Sequence, residues 1–406
     1  MRIPVRAMLP AVGVLALVVI SGCAPAAEAP KPVAPRETLD LTIGALVPDS
    51  GVVAGWGPST RAAISLAIAD VNDAATTLTV AAEIRDSGDS STDTGVNSVN
   101  ELLELPVDAF VGPLSDGVSR KVLDSIVGAG LPVISPANSA PDFTQYDDDG
   151  LYWRTSAPCT LEASVFAQRV ADSGADSVGI LSLEGSCGGE LPKAVRIALE
   201  RLGVTVAAEV ALDDGASVDQ AVADLAQAAP DVVAVVSPLG KDAIQPLSNV
   251  GFAGNQLFFA GLTPGDYSAD FPEATLLGAT ATRPGPDYAT LETFTERLLE
   301  VDPSLSQFRH SAETYDAVVL LALAAYQANS TDGEAMAASL AEVSGASGEG
   351  TACTSFTACA AAISAGEEAD YEGISGSITF DEAGDPQGAS IGVFVANRNG
   401  VFSRVE

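Results

Sequence analysis

Apolar residues along this chain alternate between short unbroken runs and longer stretches with the period of a helix. Residues 41–47 form a short apolar run, a Gly-rich loop follows over 49–57, and residues 58–72 place their apolar side chains on one helical face. The same order then recurs, which predicts strands over 77–85, 109–111 and 132–135 and helices over 95–105 and 118–127. Because parallel strands need crossover connections, this alternation predicts a parallel sheet with helices on both faces.

A second series of the same kind begins after residue 154. It predicts helices over 161–172, 190–202, 218–228 and 243–250, and strands over 178–183, 205–210, 232–236 and 257–260. The pattern then becomes mostly helical, over 291–299, 312–328 and 333–343, and two strands over 376–380 and 391–395 end the body. The late helices have too few strands for a third domain, so we expect them to cover the first lobe.

The sequence therefore predicts an α/β protein with two doubly wound parallel-sheet lobes, joined by multiple crossovers, with a ligand cleft between them. We assign residues 39–157 plus 285–376 to lobe 1 and residues 158–284 plus 377–406 to lobe 2. The cleft is expected where the carboxyl ends of both sets of strands face each other. Loops and helix starts that collect there offer free backbone N–H groups to an anionic or carboxylate-bearing ligand.

The N-terminus has the pattern of a lipoprotein export signal. Arg2 and Arg6 precede an apolar run over 8–20, and small residues lead into Cys23. This predicts a signal peptide over 1–22 and lipidation of Cys23 in the mature protein. An uncleaved anchor is the alternative, but a span needs about 20 apolar residues and this run breaks off early. Residues 23–38 are rich in Ala, Pro and Glu and are predicted to be a flexible tether.

Charge limits the partners that this chain can have. The formal net charge is −35 over 406 residues. Such a surface repels phosphate backbones and anionic headgroups, which argues against nucleic acid and against direct contact with a lipid surface. Membrane contact is therefore expected through the lipid anchor alone.

The cysteines fit an oxidising compartment. With Cys23 lipidated, an even set of four remains, which suits two disulfides. Cys353 and Cys359 flank a short loop and are expected to close it locally. Cys159 and Cys187 would form the second bridge, although the sequence alone allows three connectivities. Zinc is the alternative, but the spacing lacks paired short knuckles, so we expect no metal and no cofactor.

The sequence offers little for catalysis. His310 is the only histidine, and no Gly-x-Ser-x-Gly elbow surrounds Ser115 or Ser186. Phosphate-loop and dinucleotide glycine patterns are missing as well. His310 is interpreted as a solvated or capping histidine rather than a pocket residue, and the chain is predicted not to be an enzyme.

Several short segments stand in an order that carries a family resemblance over most of the mature chain. They are Ile43-Gly44-Ala45-Leu46 with Ser50-Gly51 and Trp56-Gly57, Asp86, Val111-Gly112-Pro113 with Ser115, Val133 to Ser139, Trp153-Arg154, Thr314-Tyr315-Asp316-Ala317, and Gly373 through Gly376 to Asp385. The ordered set resembles the branched-chain amino acid binding proteins, the type I periplasmic-binding-fold components of ABC importers. This resemblance implies a monomeric, extracytoplasmic, lipid-anchored receptor that delivers a small solute to ABC permease subunits.

The resemblance also implies where the solute lies. Ser115, Ala137 and Ser139 fall where the family holds the ligand carboxylate, Asn138 belongs to the same turn, and Trp56 occupies the position of a pocket aromatic. A hydroxyl and backbone donors at helix starts suit a carboxylate in any case. The alternative interpretation is N-capping by Ser115, turn formation by Asn138 and Ser139, and lobe packing by Trp56.

Departures from the family leave the solute open. Cys187 stands where amino acid binders carry an aromatic residue. Leu262 or Thr263 stands at the place of the acid that pairs with the ligand amine, with Asp266 only nearby. Cys187, Thr263 and Asp266 complete the predicted ligand-binding set. A buried ammonium without a carboxylate is unfavourable, so a different small acid, amide or aromatic solute is a candidate beside an α-amino acid.

Two other functions stay open at this point. A sensory lipoprotein would use the same clam shell to signal to a membrane receptor, and a secreted α/β hydrolase is the remoter alternative. A neighbouring sensor-kinase gene would favour signalling, and turnover that depends on His310 would favour the hydrolase.

Overall fold

The computed structural model of the chain describes residues 36–74, 76–183, 189–212, 217–237, 240–348 and 350–406. The predicted signal peptide, Cys23, most of the predicted tether and Cys187 lie outside these ranges. Arg36 donates a hydrogen bond to the carbonyl of Tyr326 and lies 3.9 Å from the centre of its ring. The amide of Glu37 donates to Asn329 Oδ1 at 2.9 Å. The last residues of the predicted tether are therefore held against the folded body.

The first lobe is built on a parallel sheet. Its strands are β1 (Leu39–Val47), β2 (Leu78–Asp86), β3 (Ala109–Val111), β4 (Val133–Ser135) and β5 (Tyr152–Arg154), and its first helices are α1 (Gly57–Asp73), α2 (Thr94–Leu103) and α3 (Asp116–Val127). Within the described residues the strand order is β2-β1-β3-β4-β5, with every pair parallel. The carboxyl ends of β1, β3 and β4 are therefore neighbours.

The second lobe repeats this construction. Its elements are α4 (Cys159–Asp172), β6 (Ser177–Ser182), α5 (Leu191–Arg201), β7 (Thr205–Ala211), α6 (Val218–Ala226), β8 (Val232–Val236), α7 (Lys241–Asn249), β9 (Leu257–Ala260) and β10 (Thr280–Pro284), with β14 (Ile391–Ala396) and β15 (Phe402–Arg404) at one edge. In the part of the chain that the structure describes, the order is β15-β14-β10-β9-β8-β6-β7. Strands β6 to β10 pair in parallel, whereas β14 and β15 are antiparallel additions.

The remaining elements pack on the first lobe. They are α8 (Glu292–Val301), α9 (Ser311–Ala328), α10 (Gly333–Val343), β11 (Thr351–Cys353), α11 (Phe356–Ser364), β12 (Ala369–Gly373) and β13 (Gly376–Ser377). Helix α9 is buried along almost its whole length, and its central residues 317–325 are all apolar. Ile378 and Phe380 lie in the same core, although they follow the predicted boundary at residue 376. The predicted disulfide between Cys353 and Cys359 is confirmed.

Two parallel sheets in two lobes confirm the predicted fold class. Among the described residues the chain crosses between the lobes at 155–158, 285–291 and 381–390. A buried ion pair holds the third crossover to the end of β5. Arg154 is completely buried, and its Nε and Nη2 lie 2.5 and 2.7 Å from the two carboxylate oxygens of Asp385. Arg154 also donates to Thr144 Oγ1 and to the carbonyl of Ala140, so its guanidinium is well satisfied.

Candidate functional site

Trp56 packs against the segment that precedes α9. Its ring centre is 4.7 Å from that of His310 in an edge-to-face arrangement, and the guanidinium carbon of Arg309 is 4.7 Å from the indole centre. The side chain of Gln307 donates to the carbonyl of Gly55, and Ser59 Oγ donates to the carbonyl of Arg309 at 3.1 Å. These bonds join the loop after β1 to the start of α9. Trp56 stays partly exposed, which leaves part of the indole available to a ligand.

The interpretation of His310 as a solvated or capping histidine is wrong. His310 is the residue before α9, but its side chain makes no capping bond, and its backbone is left-handed with φ of 59°. Such a conformation is strained for a non-glycine residue and is often retained at functional sites. Its Nε2 accepts from Arg309 Nε at 3.2 Å, and its Nδ1 is buried.

His310 is neutral at physiological pH. Burial lowers its pKa well below the ordinary value, and the positive charges of Arg309 and Arg283 lower it further, while the carbonyl of Pro136 acts in the opposite sense. A neutral ring that accepts at Nε2 carries its hydrogen on Nδ1. The site therefore contains a buried N–H donor. Because Trp56 and Pro136 both approach this ring, the loops after β1 and β4 meet at His310.

Ser115 precedes α3 but does not cap it. Its backbone is extended, and its hydroxyl makes no hydrogen bond to the first turn of the helix. The capping interpretation is therefore wrong for this residue. Ser115 follows β3, the strand next to β1, so its hydroxyl stands in a loop that neighbours the loop of Trp56. A hydroxyl not used by the helix is available to a ligand.

Some hydrogen-bonding groups of the turn after β4 are already used by other residues of the protein. Asp116 Oδ1 accepts from the amide of Ser139 at 3.0 Å, and the carbonyl of Ser139 accepts from the amide of Cys159 at 2.9 Å. Burial raises the pKa of Asp116, while the amides of Ser139 and Ala140 lower it. A ligand carboxylate at Ser139 would therefore have to displace Asp116. The amide of Ala137 is less engaged, with a 3.4 Å contact to Ser135 Oγ.

Asn138 points into the first lobe. It is completely buried, and its Oδ1 accepts from Ser119 Oγ at 2.7 Å and from the hydroxyl of Tyr152 at 3.0 Å. Its amide donates to Ser135 Oγ at 3.1 Å. The side chain thus stabilises the turn from within, which supports the structural interpretation of Asn138 over a role in ligand contact.

The second-lobe residues of the predicted set are not brought to Trp56. Thr263 and Asp266 are exposed, Asp266 Oδ1 accepts from the amide of Ser268 at 2.9 Å, and the backbone of Asp266 pairs with Val401. In the described part of the chain neither residue contacts Trp56 or Ser115. Cys187 lies outside the described residues, so its ligand contact and its pairing with Cys159 stay predictions.

Two buried carboxyl groups that the sequence reasoning missed lie near the crossovers. Glu162, in the first turn of α4, accepts from the amide of Gly261 and from Thr282 Oγ1, each at 3.2 Å. Burial raises the pKa of Glu162 to about 7, and burial does the same for Glu313 in the first turn of α9. Arg309 and Arg283 oppose both shifts. Glu313 Oε2 has no hydrogen-bond partner among the described residues.

A signal for these residues exists in the sequence. Glu313 opens a helix that is otherwise nearly all apolar, and Glu162 lies on the apolar face of a predicted helix. Charged side chains are seldom buried without a partner or a function. No comparable signal marked His310, because its contact with Trp56 joins residues that are 254 positions apart in the sequence.

A cavity of about 670 Å³ lies on one flank of the region between the lobes. It is bounded by α3 and residues 141–145 of the first lobe and by α4 and α5 of the second, and its charged lining residues are Arg120, Asp142, Glu190, Lys193 and Arg201. No residue of the predicted ligand set lines it. The flank cavity is therefore separate from the loops around Trp56.

The residues that the structure describes contain neither a membrane-spanning helix nor a cluster of metal ligands. No helix there combines the length and apolar character that a membrane crossing requires. Within the same ranges, histidine, cysteine and acidic side chains form no group of three or more that would hold a metal ion.

Two α/β lobes, repeated crossovers and a cluster of aromatic, hydroxyl and cationic side chains where the lobes meet define a bilobed binding protein. A family model described as "Periplasmic binding protein" matches residues 40–389, which span both lobes. The chain belongs to this extracytoplasmic, non-enzymatic family. The resemblance is thereby confirmed at the level of family and fold.

Curated relatives match part of the chain. The Leu/Ile/Val-binding protein BraC3 of Rhizobium johnstonii is 28% identical over 185 residues, which are 45% of this chain and 50% of that protein. The Leu/Ile/Val-binding protein homolog 3 of Brucella melitensis is 25% identical over 168 residues, 41% of this chain and 45% of the relative. The chain thus spans about half the length of the curated relatives that it matches.

Solved structures share the fold over most of the chain. The leucine binding protein LivK of Thermotoga maritima superposes with a TM-score of 0.66 at 18% identity, covering 90% of this chain and 98% of its own. A substrate-binding protein of Desulfitobacterium hafniense in complex with Leu gives 0.67 at 18% identity, covering 90% and 100%. A solute-binding protein of R. palustris in complex with benzoate gives 0.63 at 16% identity, covering 90% and 95%.

Proposed function

We propose that this chain is the solute-binding component of an ABC importer, held outside the membrane by a lipid on Cys23. It closes two lobes over a small polar organic solute, an amino acid or a related amide or carboxylate, and presents the closed form to the permease. The observation that carries the proposal is the family match over residues 40–389, because it covers both lobes and not one sheet alone. The export pattern before Cys23 supports the lipid anchor.

The local chemistry supports a small solute with hydrogen-bonding groups. Trp56 offers an apolar surface, Ser115 a hydroxyl that the helix does not use, and His310 a buried N–H donor. Relatives are named for Leu, Ile and Val, and structures of the same fold hold leucine or benzoate. All of these solutes are small carboxylates with an apolar body.

Closure gives the permease a shape to recognise. The crossovers at 155–158, 285–291 and 381–390 are short segments that link two separately packed cores. Bending at such segments moves each lobe as a rigid body. Solute contacts with both lobes would favour the closed form, and the ABC permease subunits would bind that form.

A thermal-shift screen of amino acids, short amides and aromatic acids tests the proposal. A solute at 100 times its Kd raises the free energy of unfolding by about 2.7 kcal/mol. Ser115→Ala should weaken binding of the best solute by about 1 kcal/mol, roughly fivefold. Ser125→Ala is the matched control, because Ser125 is exposed on the same helix α3. A screen without any stabilising solute, or equal affinities for both variants, would argue against the proposed site.

The anchor has a separate test. Cys23→Ala should move the expressed protein from the detergent phase to the aqueous phase in a phase-partition experiment, because the acylated cysteine is lost. Cys159 gives the control, since Cys159→Ala leaves the export pattern intact. Unchanged partition of the Cys23 variant would contradict lipidation at this residue.

A further inference from the structure

Arg283 and Arg309 come from the two lobes, and neither has an ion-pair partner within the described ranges. Arg283 lies near the carboxyl end of β10 in the second lobe, and Arg309 lies two residues before α9 on the first. No carboxylate of the described residues is within 4.0 Å of either guanidinium, whereas Arg154 and Arg297 both have such partners. In a chain of net charge −35, acidic partners are abundant. Arg283 and Arg309 nevertheless have none among the described residues, which is also true of Arg36, Arg201 and Arg404.

The two guanidinium groups act on each other. Burial lowers the pKa of Arg309, and the positive charge of Arg283 lowers it further. Glu162 and Glu313 act in the opposite direction, but burial raises the pKa of each to about 7, so each is only partly ionised at neutral pH. The region between the lobes is thus short of negative charge, and an added anion would be stabilised there.

The guanidinium of Arg309 is oriented for a planar acceptor. It lies over the indole of Trp56, and its Nε donates a hydrogen bond to His310 Nε2 at 3.2 Å. Its two Nη atoms have no hydrogen-bond partner among the described residues, and the residue is accessible to solvent although the surrounding protein partly desolvates its guanidinium. A stacked guanidinium with its outer edge unoccupied presents two parallel N–H donors, which match a carboxylate in bidentate geometry.

The turn after β4 is less suitable for a ligand carboxylate. Asp116 already accepts from the amide of Ser139, so a second carboxylate there would lose that donor and face a like charge. Within the described ranges Arg309 makes no ion pair with Asp116, and its partners there are Trp56, Ser59 and His310.

We propose that the solute is a carboxylate and that Arg309, held between Trp56 and His310, binds its carboxylate group, with Arg283 supplying a second positive charge from the opposite lobe. This inference rests on the proposed function and assigns the specificity of the same site. The apolar body of the solute then lies along the exposed part of Trp56. Because Arg283 belongs to the second lobe, the anion also draws the two lobes together.

Matched acids and amides test this assignment on the full chain. The probes are benzoate with benzamide and 4-methylpentanoate with 4-methylpentanamide, and L-leucine serves as the zwitterion with the same body as the second pair. Binding is measured by isothermal titration. We expect at least one acid to bind, its amide to bind about 10- to 100-fold more weakly, and Arg309→Gln to weaken the acid by a similar factor.

Two further variants keep the outcome interpretable. Arg309→Lys retains the charge but loses the bidentate fork, and it should recover only part of the affinity. Arg398→Gln is the control, because Arg398 is exposed on the turn before β15 and should bind the acid like the wild type. An amide that binds as tightly as its acid, or an Arg309→Gln protein with wild-type affinity, would overturn the inference.

The test separates the two proposals. If L-leucine alone binds and Arg309→Gln leaves its affinity unchanged, the inference fails while the proposed function stands. If these probes and the wider solute screen all fail to bind, both proposals fall.

Discussion

At the scale of single residues, the contact between Trp56 and His310 organises the candidate site. It joins the loop after β1 to the start of α9 and leaves Arg309 stacked on the outer side of the indole. The segment that precedes the left-handed His310 is held to the first lobe by the bonds of Gln307 to Gly55 and of Ser59 to Arg309. Three side chains of different chemistry thus share one place on the first lobe.

Solute binding should change the fluorescence of Trp56. The chain has two tryptophans, and Trp153 is buried with its indole N–H bonded to the carbonyl of Gly150 at 3.1 Å. The solute-dependent change in emission should therefore persist in Trp153→Phe and disappear in Trp56→Phe. Trp56→Ala should weaken binding roughly tenfold, because it removes most of the apolar contact. A change that follows Trp153 instead would place the solute elsewhere.

The sequence predicted the position of the loops after β1 and β3 better than it predicted side-chain directions. Trp56 and Ser115 are available as expected, but Asn138 turns inward to Ser119 and Tyr152. That direction depends on partners 19 and 14 residues away. The hydrogen bond from the Ser139 amide to Asp116 likewise depends on how α3 packs against the turn after β4. Local pattern carries no information on such pairings.

At the scale of elements, the buried ion pair between Arg154 and Asp385 fixes the third crossover. Asp385→Asn leaves a buried guanidinium without its charge partner and should lower the free energy of unfolding by about 3 to 5 kcal/mol. Asp142→Asn breaks the exposed pair with Arg120 and should cost no more than about 1 kcal/mol. Urea unfolding of both variants makes the comparison. Equal losses would show that the buried pair does not stabilise the crossover.

Long elements were predicted more closely than short ones. The helices of both lobes and strands such as β1 and β8 follow strong apolar periodicity, and their predicted bounds lie close to the observed ones. Strand β5 was not predicted because its three residues are too few to show alternation, and the strand predicted over 376–380 is reduced to the two residues of β13. The segment between the late cysteines was interpreted as a loop, but α11 begins within it at Phe356. Sheet pairing decides these short elements, and that pairing is not local.

At the scale of the whole molecule, stability should fall as pH rises through neutrality. Glu162 and Glu313 have folded-state pKa values of about 7, above the ordinary value of 4.5. The folded state therefore binds more protons than the unfolded state between these values, so the stabilisation is present at low pH and is lost as pH rises to about 7. For each unit by which a carboxyl pKa is higher in the folded than in the unfolded state, the free energy of unfolding falls by up to about 1.4 kcal/mol over this pH range.

Glutamine variants isolate this effect from the general repulsion of an acidic surface. Glu162→Gln and Glu313→Gln should each reduce the loss of thermal stability between pH 5 and pH 8. Glu273→Gln is the control, because Glu273 is exposed and should leave the slope unchanged. Slopes that match the wild type in both buried variants would mean that these carboxyl groups do not titrate in this range.

The central claim is that a small carboxylate binds between the lobes at the cluster around Trp56. The most direct measurement is a crystal structure of the full chain with the most strongly stabilising acid. We expect the acid to lie against Trp56 with its carboxylate within hydrogen-bond distance of Arg309. Ser115 should contact the same acid. An acid seated in the flank cavity beside Arg120 and Lys193, with Trp56 and Arg309 uncontacted, would contradict the claim.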